Sequence, residues 1–415
     1  MRSKSVGPAL AVLFLVNVLN YYDRQTLAAI LEPLRHEFSL SDTQLGGLFT
    51  LFTIVFALAG LPLGKLADTR SRRGLLAGGI AVWTGLTGLA GLATSYALLL
   101  CTRLGVGIGE AVCTPAAVSW IGDLVPAARR ARAMAGFMMA VPVGIMLSSA
   151  IGGPVAQAHG WRMALVLAAI PGLALVPAVL WLREPGRPPL PAAGARVAAL
   201  PDVFWWIAVS GAVVNFALYS FSTFLPAFLT RYHGMSVARA GIWTGIGSGV
   251  SGILGAAAAG LLGDRVTNRL WLAAGASLVA AGPVYAAIRM PAGSAAAAVW
   301  LAMSGYGLLQ MYYGLVYAAI QDAVGPAMRG RAMAVYFVVT YLGGASWGPL
   351  VTGRLSDFLA HRSGLAAEAS RAVGLHDAMY VIPALAVVLA AVLWQAGRGQ
   401  DAPMVRPATR LADRI

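Results

Sequence analysis

The sequence predicts an all-α membrane protein with twelve transmembrane helices in two pseudo-symmetric six-helix bundles. Three observations carry this. Of the 415 residues, 59% are hydrophobic and 11% charged, against roughly 25% charged in a soluble domain. Apolar stretches of about 20 residues, each enough for a helix across a hydrocarbon core of about 30 Å, recur along nearly the whole chain. The two halves also repeat each other's motifs in the same order.

The spans fall near 8–31, 43–64, 74–94, 97–122, 133–156, 162–182, 203–229, 239–262, 271–290, 297–321, 333–354 and 375–396. The first follows Arg2 and Lys4, as a signal peptide would, but no small-residue cleavage site follows it. It runs on into Asn20-Tyr21-Tyr22-Asp23-Arg24 and reads as the first helix. The formal charge of +14 invites a nucleic-acid reading until it is located. Most of the 30 lysines and arginines fall on segments that share a side with the termini, among them Lys65–Arg73, Arg129–Arg132, Arg265–Arg269 and Arg329–Arg331. This asymmetry is the positive-inside rule. It predicts cytoplasmic termini in a bacterial-type inner (plasma) membrane, with the bilayer and no nucleic acid as partner.

Gly64-Lys65-Leu66-Ala67-Asp68, ending at Arg73, returns as Gly260-Leu261-Leu262-Gly263-Asp264, ending at Arg269. Arg130-Ala131-Arg132-Ala133-Met134-Ala135 returns as Arg329-Gly330-Arg331-Ala332-Met333-Ala334, and Gly153-Pro154 as Gly348-Pro349, all at nearly one offset. Residues 1–182 and 202–397 are therefore the two bundles. The stretch 183–201 is rich in proline and arginine and cannot continue a helix, so it is the expected cytoplasmic linker, with 398–415 a cytoplasmic tail. This repeat architecture is that of a transporter with its substrate site between the bundles near the midplane.

Cys101 and Cys113 share the fourth span about 18 Å apart in helical rise, beyond disulfide reach. The five histidines fall in loops or at helix ends, which predicts no metal site. No GxxxxGK[ST] phosphate loop is present, and no cofactor is expected.

GKLADTRSRR resembles the signature loop between helices 2 and 3 of the major facilitator superfamily, and RLGVGIGEA resembles its helix 4 motif. Within the superfamily, NYYDRQTLA, FSLSDTQLG and GVGIGEAVCTPAAVSWIGD resemble the Spinster branch, whose members export lysophospholipids or sphingoid lipids. The resemblance implies the major facilitator fold, a monomer working by alternating access, and proton-coupled transport of a small amphipathic substrate rather than catalysis. The rival reading is a proton-coupled symporter of small organic anions.

Four intramembrane charges carry the chemistry: Asp23, Arg24, Arg103 and Glu110. Unpaired, each costs about 2.5–3.5 kcal/mol at a helix centre, so function or mutual pairing must justify it. Arg103 and Glu110 share a helix face about 10 Å apart; Asp23 and Arg24 diverge by about a third of a turn, so one or both can meet that face. A carboxylate alternating between an arginine and a proton is one reading, and a static ion-pair network the other. The resemblance implies proton coupling and substrate gating at all four positions.

Asp68 with Arg72 and Arg73 forms the expected inner gate. By resemblance, Asp68 latches one state across the interface, Gly64 allows close approach, and Asp264 repeats the motif. Asp123 and Asp322 are expected to pair with Arg129, Arg130, Arg329 or Arg331. Gly241, Gly245 and Gly249 form a small-residue packing face, and Gly144, Gly152 and Gly153 with Pro154 are candidate bending points. The second half supplies aromatic residues, including Tyr219, Tyr306, Tyr313 and Tyr341, with Asn215 and Gln310 among them. Arg24 and Arg103 on one wall and Asn215, Tyr219, Tyr306, Gln310 and Tyr313 on the other are the candidate substrate contacts.

Overall fold

The computed structural model describes residues 6–186, 200–324 and 328–400, all helix and connecting turns with no strand among them. Most of the predicted linker and tail, with Arg2, Lys4, Arg187, Arg196, Arg406, Arg410 and Arg414, lies outside these residues, as does the side chain of Asp68. The first half contains α1 (Val6–Ala29), α2 (Leu31–Phe38), α3 (Asp42–Thr69), α4 (Arg72–Ala90), α5 (Tyr96–Glu110), α6 (Cys113–Leu124), α7 (Ala127–Met138), α8 (Ala140–His159) and α9 (Trp161–Trp181). The second contains α10 (Asp202–Arg231), α11 (Val237–Gly263), α12 (Arg269–Arg289), α13 (Ala295–Ala323), α14 (Arg329–Thr340), α15 (Gly348–Ser363), α16 (Ala367–Ala378) and α17 (Val381–Gln400). Ten spans are long and apolar enough to cross a membrane. Of the twelve expected, α4 and α13 fall outside that set; α4 opens on two arginines and α13 carries four tyrosines and two glutamines.

Several spans expected to be continuous are broken, each beside a proline. An interior proline lacks the N–H that would bond the carbonyl four residues back and clashes with that carbonyl. Pro115, Pro142 and Pro349 stand four residues after Ala111, Met138 and Ala345, where α5 gives way to α6, α7 to α8, and a π turn over Tyr341–Ala345 leads into α15. Pro33 and Pro383 bear the same relation to the ends of α1 and α16. Pro62, Pro154 and Pro226 sit inside unbroken helices, so a proline alone does not fix a break.

The two halves meet along glycine faces. Gly241, Gly245 and Gly249 of α11 lie on α8: a Cβ on Gly241 would stand 2.5 Å from the Ser149 carbonyl oxygen, and one on Gly245 2.7 Å from that of Met146. The face read from the sequence is thus an interface between the halves, where small residues let backbones approach. On the other side α3 meets α15, with Gly46 against the Pro349 carbonyl and Gly353 against that of Asp42.

The face away from the termini is closed by charge. Arg231 donates to Glu32 at 2.6 Å and forks onto both Asp42 oxygens at 2.8 Å, with all three side chains at most 6% exposed. Arg35 joins Glu32 to Glu368 of the second half. The N-terminus of α3 presents the Asp42 and Thr43 amides to Asp357, at 3.0 and 2.8 Å, where a carboxylate complements the helix dipole.

On the terminal face the halves echo each other in side-chain detail. Arg72, fully buried, holds Asp123 at 2.5 Å and Glu184 at 3.0 Å, and Arg269 pairs with Asp322. Asp123 and Asp322 therefore take the helix-initial arginines rather than Arg129, Arg130, Arg329 or Arg331, because α4 and α12 bring those arginines to the ends of α6 and α13. Burial pushes the Glu184 carboxyl up, but donation from the Arg72 amide and guanidinium and from Ser71 outweighs it and holds the group at about 2. A carboxyl lowered on folding stabilises fully above its unfolded value, 4.5, and loses that contribution as pH falls from there toward about 2. The melting temperature of detergent-solubilised protein should thus fall more steeply between pH 4.5 and 3 than that of Glu184→Gln. Parallel curves would remove this role.

Candidate functional site

The four predicted charges converge beside the break between α5 and α6. Glu110 is the last residue of α5, and its Oε2 accepts from Arg24 Nε of α1 at 2.7 Å. Glu110 is fully buried and the Arg24 side chain 11% exposed. The Arg24 guanidinium lies 3.9 Å from the centre of the Phe56 ring, with Tyr21 and Phe52 at 5.1 and 5.6 Å. Such ring faces stabilise a desolvated cation by about 2 kcal/mol.

Asp23 and Arg103 make no direct ion pair with each other. Asp23 is fully buried with Glu110, Arg103 and the Thr87 hydroxyl around it, and neither of its oxygens makes a hydrogen bond of ordinary geometry. Arg103, 1% exposed, lies 5.0 Å from the Phe52 ring centre with Nε and Nη1 unpartnered. Asn20, on the same helix as Asp23, is also buried with both polar atoms unpartnered. Part of the quartet is therefore one tight pair, and the rest is polar capacity without a partner, which is costly unless a ligand, water or proton meets it.

The aromatic residues of the second half reach this point. Tyr341, in the π turn, stands 5.7 Å from Phe56 and 6.3 Å from Tyr219 between ring centres, so the arginine's aromatic cage continues into the other half. Tyr313 donates to Asn215 Oδ1 at 3.0 Å, and Asn215 Nδ2 donates to the Gly211 carbonyl. Gln310 donates to the Tyr306 hydroxyl at 3.2 Å, and Tyr306 stacks on Phe221. Tyr219, Tyr313 and Gln310 are half-buried. Asn215 and Tyr306, expected at the substrate surface, are buried in this state; Asn215 positions Tyr313 from behind.

The expected gate residues are spread out here. Arg72 is committed within its own half, while Arg73 and Asp264 are exposed. A Cβ on Gly64 would meet nothing within 4 Å, so the close approach expected there is absent. The tight contacts of the same helix pair, at Gly46 and Gly353, lie at its opposite end because that end is closed.

The model of the Major Facilitator Superfamily matches residues 13–349. The chain belongs to the major facilitator superfamily. The superfamily's fold and activity are those of membrane transporters, not enzymes. This major facilitator is 34% identical over 402 residues to an MFS-type efflux pump of Mycolicibacterium smegmatis, covering 93% of each chain. It is 30% identical to human protein spinster homolog 1 over 393 residues, 84% of this chain and 72% of the other. It superposes with a TM-score of 0.85 and 26% identity on the crystal structure of a bacterial homolog of the human lysosomal transporter Spinster in an inward-facing, unoccupied conformation, covering 96% and 98% of the two chains. Within the superfamily it is Spinster-like.

Sequence reasoning missed this transporter's charged clamp on the face away from the termini. Glu32, Asp42 and Arg231 sit at the ends of apolar spans, where a charge is unexceptional, and Arg231 pairs with partners 199 and 189 residues away. The available signal was the local Glu32-x-x-Arg35 pair and the Ser41 cap of α3, both of which the structure contains.

Proposed function

We propose that this major facilitator is a proton-coupled transporter of single-chain amphipathic lipids, lysophospholipids or their relatives, working by alternating access with both termini cytoplasmic. The observation that carries this reading is the position of Arg24, held by Glu110 and capped by rings that continue through Tyr341 and Tyr219 into the second half. A cationic wall and an aromatic wall thus meet between the bundles, and an anionic headgroup with one acyl chain complements both. The headgroup phosphate competes with Glu110 for Arg24; Glu110, once released, accepts a proton. Asp23, buried without a hydrogen bond of ordinary geometry, is a second place where a proton binds, and the charge of Arg103, which acts on both carboxylates, keeps either loading state electrically tolerable. Tyr219, Tyr313 and Gln310 contact the acyl chain, with Tyr306 and Asn215 supporting them. Gly64, Asp68, Arg72, Arg73 and Asp264 form the gate of the cytoplasmic face, which closes when the charged clamp opens. The resemblance of NYYDRQTLA and GVGIGEAVCTPAAVSWIGD to the Spinster branch supports the lipid reading.

One observation favours the rival, an organic-anion symporter: the unpartnered nitrogens of Arg103 suit a compact carboxylate that makes no use of the aromatic wall. Binding to purified protein across lysophospholipid chain lengths, with micelle formation controlled, separates the two. Affinity should rise with chain length, by up to about 0.8 kcal/mol per buried methylene, and Tyr219→Ala or Tyr313→Ala should flatten that rise. Binding of short hydrophilic anions, with no lysophospholipid of any length binding, would make the symporter the correct reading.

A further inference from the structure

A cavity of about 1440 Å3 opens on the terminal face between the start of α1, the end of α6, α7 and the segment after α9. It lies away from the central site: Phe14, at its rim on α1, is about 15 Å of helical rise from Arg24. One wall is apolar, with Leu10 and Phe14 of α1, and the other carries Arg129, Arg130, Arg132 and Arg183. The two acids at the cavity are already taken, since Arg72 binds both Asp123 and Glu184. Among the described residues the four arginines have no carboxylate partner. Four exposed cations lining an open cavity beside an apolar wall call for an anion from outside the chain that also has an apolar part. Basic pockets at the cytoplasmic ends of membrane helices hold anionic headgroups in this way.

We propose that this cavity is a second lipid site, distinct from the transport site, taking an anionic phospholipid of the surrounding bilayer. Its phosphodiester lies among Arg129, Arg130, Arg132 and Arg183, and its acyl region runs along Leu10 and Phe14. Charge complementarity selects the ligand: a zwitterionic lipid brings a cation back to a surface that already has four, and a free phosphate leaves the apolar wall uncovered.

The test is thermal melting of the purified full-length protein in a neutral detergent, titrated with phosphatidylglycerol, phosphatidylcholine or inorganic phosphate. Phosphatidylglycerol should raise the melting temperature saturably, and the other two should not. In Arg129→Gln/Arg130→Gln/Arg132→Gln the half-saturating concentration should rise at least tenfold. An equal shift with phosphatidylcholine or with inorganic phosphate, or an undiminished response in the triple variant, overturns the proposal. Should the variant not fold, photoreactive phosphatidylglycerol on the wild-type protein decides. Labelling concentrated on residues 10–14 and 129–137, and competed by phosphatidylglycerol alone, supports the site; even labelling of the lipid-facing helices overturns it. Glu110→Gln should leave this binding unchanged, so a failure of the transport reading and a failure of this one are separable.

Discussion

Glu110→Gln should fold and bind substrate but lose pH-driven transport. The side chain keeps its shape and one acceptor for Arg24, while the charge that alternates between arginine and proton is gone. The expected loss in gradient-driven flux is at least about tenfold, equivalent to about 1.4 kcal/mol or more on the coupled step. Asp23→Asn should behave alike if both carboxylates share the cycle. The measurement is initial uptake into proteoliposomes with and without an imposed pH gradient, normalised to correctly folded protein. A static ion-pair network predicts a different pattern: Glu110→Gln would lower the melting temperature and leave the pH dependence of the remaining flux as in wild type.

Arg231→Ala should release the clamp on the face away from the termini. The substitution leaves Asp42 buried without its cation, and Glu32 with Arg35 alone, in the closed state only, and breaking a buried pair costs about 3–5 kcal/mol. The balance between states should therefore shift by roughly a hundredfold or more. Spin labels on cysteines at His159 and Leu365, in a Cys101→Ser background, span that face from the first half to the second. The wild type should give short distances, and Arg231→Ala a population moved to longer ones. Asp68→Asn should act the other way, favouring the closed state, if Asp68 latches the cytoplasmic face. An unchanged distance distribution in Arg231→Ala would make the clamp a surface decoration rather than a gate.

What was legible in the sequence follows from what lipid makes expensive. Asp23, Arg24, Arg103 and Glu110 stand out because apolar spans carry almost no other charge, and the structure brings them together beside α1 and α5. The glycine face of α11 and the return of Gly64–Arg73 as Gly260–Arg269 were legible because repeats and spacing are local properties of a chain, but the repeat matched Arg269 with Arg73, whereas in the ion pairs its counterpart is Arg72. The clamp was not, since charges at span ends are ordinary and its pairing joins residues in different halves. The helix breaks were partly legible: Pro115, Pro142 and Pro349 each stand four residues beyond a break, yet Pro62 and Pro226 look no different in sequence and break nothing. Packing decides which prolines are absorbed. The close approach expected at Gly64 is not made in this structure, whose tight contacts between α3 and α15 lie at Gly46 and Gly353.

The central claim is that transport of a single-chain lipid is coupled to protons through the Arg24–Glu110 pair. The most direct measurement is uptake of a radiolabelled lysophospholipid into proteoliposomes of uniform orientation, under an imposed pH gradient and under none, with a labelled sugar acid run in parallel. The account predicts lysophospholipid flux that is driven by the gradient and abolished in Glu110→Gln, with no flux of the sugar acid. Gradient-driven flux of the sugar acid without any of the lysophospholipid, or lysophospholipid flux indifferent to the gradient, would contradict it.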